Sequence, residues 1–244
     1  MKNKGKVWRT VAVSALGAVV VLTVLVYRDS FACGEEMVDI DGNRYGTLTV
    51  GGQCWTAENL KTTHLSDGRA IPRPESDSSW REAGEMREGA YACYNNEPEN
   101  CAVYGALYNA YAVSEGVCPK GWRVPTDGDW KDLERELGVD EEEIDLLYWR
   151  GSSLATALAG EAELWSDASV GERVHFNETG FTAVPAGYRL SNGVYSWQGQ
   201  RANFWSSTIK ASGMRRTIIP EITEGIRRTA AAKNIGFSVR CVKE

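Results

Sequence analysis

Six cysteines, at positions 33, 54, 93, 101, 118 and 241, constrain this chain more than any other feature, because its N-terminus directs them to an oxidising compartment. Lys2, Lys4, Lys6 and Arg9 precede an uncharged apolar run from Val11 to Val26, the pattern of an export segment. Ser30-Phe31-Ala32 offers the small residues a signal peptidase reads, while Thr10 to Tyr27 is long enough to span a bilayer if uncut. Residues 1–32 are therefore expected to be a signal peptide or a membrane anchor, outside the fold. In the extracytoplasmic space, thiols pair unless metal or catalysis claims them. Cys93 and Cys101 bracket a turn-rich loop, Tyr94 to Asn100, that can bring them together. Cys118 and Cys241 would form a long-range staple, removing unfolded-chain entropy worth about 4 kcal/mol or more on the entropy model. Cys33 and Cys54 remain, paired or free.

The remaining chain, residues 37–244, suffices for one domain. A formal net charge of −6 argues against nucleic acid as a partner, since neutralising phosphates needs a Lys/Arg-rich face. No CxxC and no His-containing metal spacing occurs, so neither metal nor other cofactor is expected.

Residues 37–50 read as a hairpin around Asp41-Gly42-Asn43, and residues 61–89, polar and rich in turn signals, as a long surface loop. Thr126 caps a helix in which Asp129 sits three residues on, Trp130, Leu133 and Leu137 share a face, and Gly138 ends it. Ile144, Leu147, Leu154 and Leu158 keep helical spacing, which predicts a second helix over 141–158, with a break open at Gly151. Beyond Phe181 strand-length pieces alternate with turns, among them Phe204-Trp205-Ser206-Ser207-Thr208 and Phe237-Ser238-Val239-Arg240-Cys241. Helices followed by antiparallel strands predict the α+β class.

Six blocks occur in one order: Gln53-Cys54-Trp55-Thr56-Ala57-Glu58-Asn59-Leu60, Tyr104-Gly105-Ala106-Leu107-Tyr108-Asn109, residues 118–125 (Cys118 to Pro125), residues 180–189 (Gly180 to Arg189), Phe204 to Thr208, and Gly236 to Val242. Together they resemble the Fibrobacter succinogenes major paralogous domain family. The resemblance implies a C-type-lectin-like fold, related to the formylglycine-generating enzyme, over most of residues 37–244. It places Cys118 and Cys241 on neighbouring core strands and so implies their bridge. Trp55, Trp122 and Trp205 are expected in the core. Arg189 and Arg240, inside framework motifs, are expected as buried partners of a carboxylate or carbonyl rather than ligand contacts. Cys54 departs from the aliphatic residue usual there, which leaves its pairing open.

Between Thr208 and Gly236 neither period two nor period 3.6 persists. The family usually carries an Asn-rich stretch here, and related lectin-like variable proteins are diversified at this place by retroelements that mutate adenines. A tract of Arg, Ile, Thr, Glu, Ala and Gly resembles a diversified copy; an ordinary solvated loop is the alternative. Loops on a rigid scaffold concentrate binding residues. The expected ligand-binding positions are Arg215, Arg216, Ile218, Glu221, Thr223, Arg227, Arg228, Thr229, Ala231 and Ile235.

An enzyme is not expected. Residues 205–240 contain no cysteine, so the cysteine pair of the formylglycine-generating enzyme is missing, and His64 and His175 sit in no recognisable motif. The expectation is an exported cell-envelope or cell-surface module that binds an extracellular protein or polysaccharide, with membrane contact through an uncleaved N-terminus. A structural or fibre-adhesion module is the alternative.

Overall fold

The computed structural model describes residues 32–209 and 211–244 in full, and residues 6–15 and 18–27 as backbone. Lys6–Ala15 pairs antiparallel with Ala18–Tyr27, so the apolar run forms two strands where one expectation was a membrane-spanning helix. No helix among the described residues is long and apolar enough to cross a membrane. Cleavage of the segment is a matter of residues that lie mostly outside the described ones.

Helices and small antiparallel sheets make up the rest, the α+β class expected. One four-stranded sheet runs in the order Thr47–Val50, Gln53–Thr56, Val242–Lys243 and Trp122–Arg123, bringing both ends of the domain together: Val242 pairs with Trp55 on one side and Arg123 on the other. The second runs in the order Tyr148–Arg150, Ile226–Ala231, Gly213–Ile218 and Ala202–Ile209.

Successive strand residues point to opposite faces, and the Phe204-Trp205 pair uses this to join two cores. Phe204 packs with Trp55, Trp130, Phe181, Leu133, Ile218 and Ile226. Trp205 packs on the other side with Tyr108, Phe237, Val239 and the Cys118–Cys241 pair. Gly213 sits opposite the Trp205 ring, where any Cβ would lie 2.5 Å from a ring carbon. Trp55, Trp122 and Trp205 are all buried, as expected.

The three bridges are Cys33–Cys54, Cys93–Cys101 and Cys118–Cys241. Two were expected; the first resolves Cys54, which pairs with Cys33. The capped helix is Asp127–Glu136, with Thr126 and Asp129 forming a capping box. Two expectations need correction. The surface loop over 61–89 contains a helix, Asp77–Met86, capped by Ser76 and packed through Trp80. The helix over 141–158 is replaced by turns, the edge strand Tyr148–Arg150 and a short helix, Leu154–Leu158. Ile144 and Leu154 reach the core while Leu146, Leu147 and Tyr148 stay exposed, so the helical spacing does not mark one continuous face.

Candidate functional site

The C-terminal tract is ordered by pairing rather than left as a solvated loop. Gly213–Ile218 and Ile226–Ala231 are adjacent strands in continuous register, from Gly213 opposite Ala231 to Ile218 opposite Ile226. That corrects the aperiodic reading and sorts the expected binding positions by face.

On one face, against the helix Asp127–Glu136, lie Arg216, Ile218 and Arg228. Arg216 is buried, and its Nε donates to Glu134 Oε1 at 2.5 Å while its Nη1 donates to Asp127 Oδ1 at 2.8 Å. Arg228 grips both Asp127 oxygens, at 2.9 and 2.6 Å. Arg150 donates through Nε to the second Glu134 oxygen at 2.8 Å and also through Nη2. Lys131 completes the cluster, 3.5 Å from Asp127 and bonded to Asp145. Burial works against the Asp127 charge, but hydrogen bonds from Arg228 and the Arg216 charge hold its carboxyl well below the usual range. These groups bind helix to sheet, and Arg216 and Ile218 have no access to a ligand.

The opposite face carries Arg215, Arg227 and Thr229. Arg215 Nε donates to the Thr229 hydroxyl at 3.0 Å, and its guanidinium lies 5.2 Å from the Phe237 ring centroid. Burial, followed by the like charges of Arg227 and, more weakly, Arg201, pushes the Arg215 guanidinium down. Arg227 lies 5.6 Å from the Tyr148 centroid and 5.8 Å from that of Trp149, its neighbour across the edge strand. Its Nε is buried without a partner. Arg201, just before the Ala202–Ile209 strand, stacks 3.9 Å from the Trp197 centroid. Among the described residues none of Arg201, Arg215 and Arg227 makes a salt bridge.

The remaining expected positions divide. Thr229 and Ala231 are buried, so only the Thr229 hydroxyl takes part, through Arg215. Glu221 accepts from the Asp167 N–H at 2.8 Å and Thr223 from the Gly225 N–H at 3.3 Å, both in the connection between the strands. Ile235 packs against the first core. Arg201, Tyr148, Trp149 and Trp197 were missed by sequence reasoning. The signal was an Arg or aromatic beside strand-length segments, indistinguishable from framework until pairing aligned them. Elsewhere, Arg189 donates to the carbonyls of Gly193, Pro74 and Ser76, and Arg240 to those of Thr56, Phe181 and Thr182, which is the framework role expected of both. Away from this sheet, a cavity is lined by both signs of charge, Arg44 and Lys61 against Glu58, Glu161 and Glu163.

Fold and site thus define a disulfide-stapled α+β domain with a sheet whose arginines are neutralised on one face only. The family described as Fibrobacter succinogenes major domain matches residues 48–243, and the chain belongs to that family. No curated protein and no solved structure matches it.

Proposed function

We propose that the chain is an exported binding module of the C-type-lectin-like kind, displayed at the cell envelope or surface, rather than an enzyme. The observation that carries this is the set of half-buried guanidinium groups, Arg201, Arg215 and Arg227, held on a rigid sheet beside aromatic rings with no salt-bridge partner among the described residues. Desolvated charge without a partner costs stability, and function is where such a cost is retained. Three disulfides support an oxidising location. The cysteines are all bridged, and each histidine is bonded to a nearby carboxylate, His64 to Asp41 and His175 to Glu178, which supports binding over nucleophilic catalysis. If the tract varies among copies, as a diversified segment would, variation suits Arg215, Ile222, Thr223 and Arg227 but not the buried Arg216, Ile218 and Ile226.

The test is retention of the full chain on a panel of extracellular polymers and intact cells, with Arg215→Met/Arg227→Met and the remote Arg44→Met beside it. Retention lowered at least tenfold by the first and unchanged by the second is expected. Retention insensitive to Arg215 and Arg227 would sink the reading.

A further inference from the structure

The two faces of one sheet treat arginine differently. Arg150, Arg216 and Arg228 meet Asp127 and Glu134, so their charge is answered inside the fold. Among the described residues, the polar and ring partners of Arg201, Arg215 and Arg227 are aromatic rings and one hydroxyl. Like charges gathered partly out of water repel one another, and they do so in a chain whose net charge is −6. The carboxylates to quench them are plentiful in the sequence yet placed elsewhere.

These three arginines lie on neighbouring strands at staggered positions, Arg227 opposite Thr217, Arg215 opposite Trp205, and Arg201 next to Ala202, which faces Ile218. Arg227 belongs to the Ile226–Ala231 strand, Arg215 to its neighbour Gly213–Ile218, and Arg201 directly precedes the next neighbour, Ala202–Ile209. Strands lie about 4.8 Å apart, so three successive strands each offer one cation. Exposed indoles close the series at both ends: Trp149, 39% exposed, opposite Arg227 on the edge strand, and Trp197, 43% exposed, beneath Arg201.

Building on the binding-module reading, we propose that this row binds an acidic polysaccharide, a chain of carboxylate-bearing pyranoses, with guanidinium groups on the carboxylates and Trp149 and Trp197 against the C–H faces of the sugar rings. A guanidinium fork matches a carboxylate with two parallel hydrogen bonds; the Arg227 Nε is itself buried, so the partly exposed remainder of each of these half-buried side chains would make the contact. An indole offers a flat apolar face with a polar rim, suited to a sugar ring. An acidic peptide is the competing polyanion. Both polymers carry one carboxylate per repeat, but only the polyuronate also offers flat C–H ring faces for the exposed Trp149 and Trp197, which favours it over the peptide.

Affinity electrophoresis of the full chain through gels containing polygalacturonate, its methyl ester, or poly-glutamate tests this, with Arg201→Met/Arg215→Met/Arg227→Met and Arg44→Met run alongside. Retardation by polygalacturonate is expected, at least tenfold weaker with the ester, with added salt, or in the triple variant, and unchanged in Arg44→Met. The triple variant should melt no lower than the parent, because it removes unpaired cations. If it fails to fold, the lysine triple replaces it, keeping charge without the fork, and weaker retardation than the parent is then expected; equal retardation overturns the proposal. Equal retardation by the methyl ester overturns the anionic ligand while leaving a binding module standing. Stronger retardation by poly-glutamate overturns it in favour of an acidic protein. No retardation in any gel overturns it outright, and the polymer and cell panel then decides the module reading separately.

Discussion

Glu134 is fully buried, and both of its oxygens are occupied by guanidinium groups, Arg216 on one and Arg150 on the other. Removing one partner of a buried ion pair leaves uncompensated charge and costs about 3–5 kcal/mol, whereas an exposed pair contributes about 0–1 kcal/mol. Glu134→Ala should therefore lower unfolding free energy in urea by about 3–5 kcal/mol, while Arg44→Ala, which breaks the exposed pair with Glu36, should leave it within about 1 kcal/mol. Similar losses for both would contradict the burial argument. The same helix sets the acid response. Against the effect of burial, Asp129 is held at about 2 by hydrogen bonds from Arg123 and Thr126, and Asp127 lower still by Arg228 and Arg216. An unfolded Asp titrates near 3.9. Because the folded values are depressed, their contribution is complete above about pH 4. It fades as pH falls towards the folded values. Melting temperature should drop steadily below about pH 4, and Asp129→Asn should flatten part of that drop; a flat profile down to pH 2 would refute the linkage.

At the scale of elements, the helix Asp127–Glu136 and the paired strands Gly213–Ile218 and Ile226–Ala231 behave as one unit, joined by the charges between them. The tract therefore does not respond uniformly to substitution. Arg216→Ser/Arg228→Ser strips Asp127 of both guanidinium partners and should destabilise by about 3 kcal/mol or more. Arg215→Met/Arg227→Met removes charges that oppose each other and should leave thermal stability equal or higher, since natural proteins retain destabilising groups where function needs them. Thermal melts of the two double variants separate these outcomes. Equal destabilisation would mean that both faces are structural. Thr126→Ala, which deletes the capping hydroxyl, should cost about 1 kcal/mol by the same assay.

Over the whole molecule, the bridges close loops of very different length. The cysteine separations are 123, 21 and 8 residues for Cys118–Cys241, Cys33–Cys54 and Cys93–Cys101. Chain entropy then ranks their worth at about 5, 3 and 2.5 kcal/mol. Paired alanine substitutions, followed by urea titration, should reproduce that order. Cys118 and Cys241 also lie inside the first core, so their loss should lower the yield of folded protein most. Finding Cys118 as a free thiol in folded protein would overturn the pairing.

What the sequence determined by itself was local and repetitive in its physics. The capping box at Thr126, the turn between Cys93 and Cys101, the strand-length run from Phe204 to Thr208 and the α+β order all rest on neighbours within a few residues. The family blocks added the Cys118–Cys241 staple and the framework arginines. Tertiary structure decided the rest, because burial depends on partners far along the chain. Arg215 and Arg216 are adjacent and chemically alike, yet strand alternation sends one towards Asp127 and Glu134 and the other towards Phe237 and Thr229. Trp149 was absorbed into a helical pattern until pairing with Arg227 made it the edge of a sheet. The residues of the candidate site meet only across strands separated by long stretches of chain, and no periodicity within a single segment encodes that meeting.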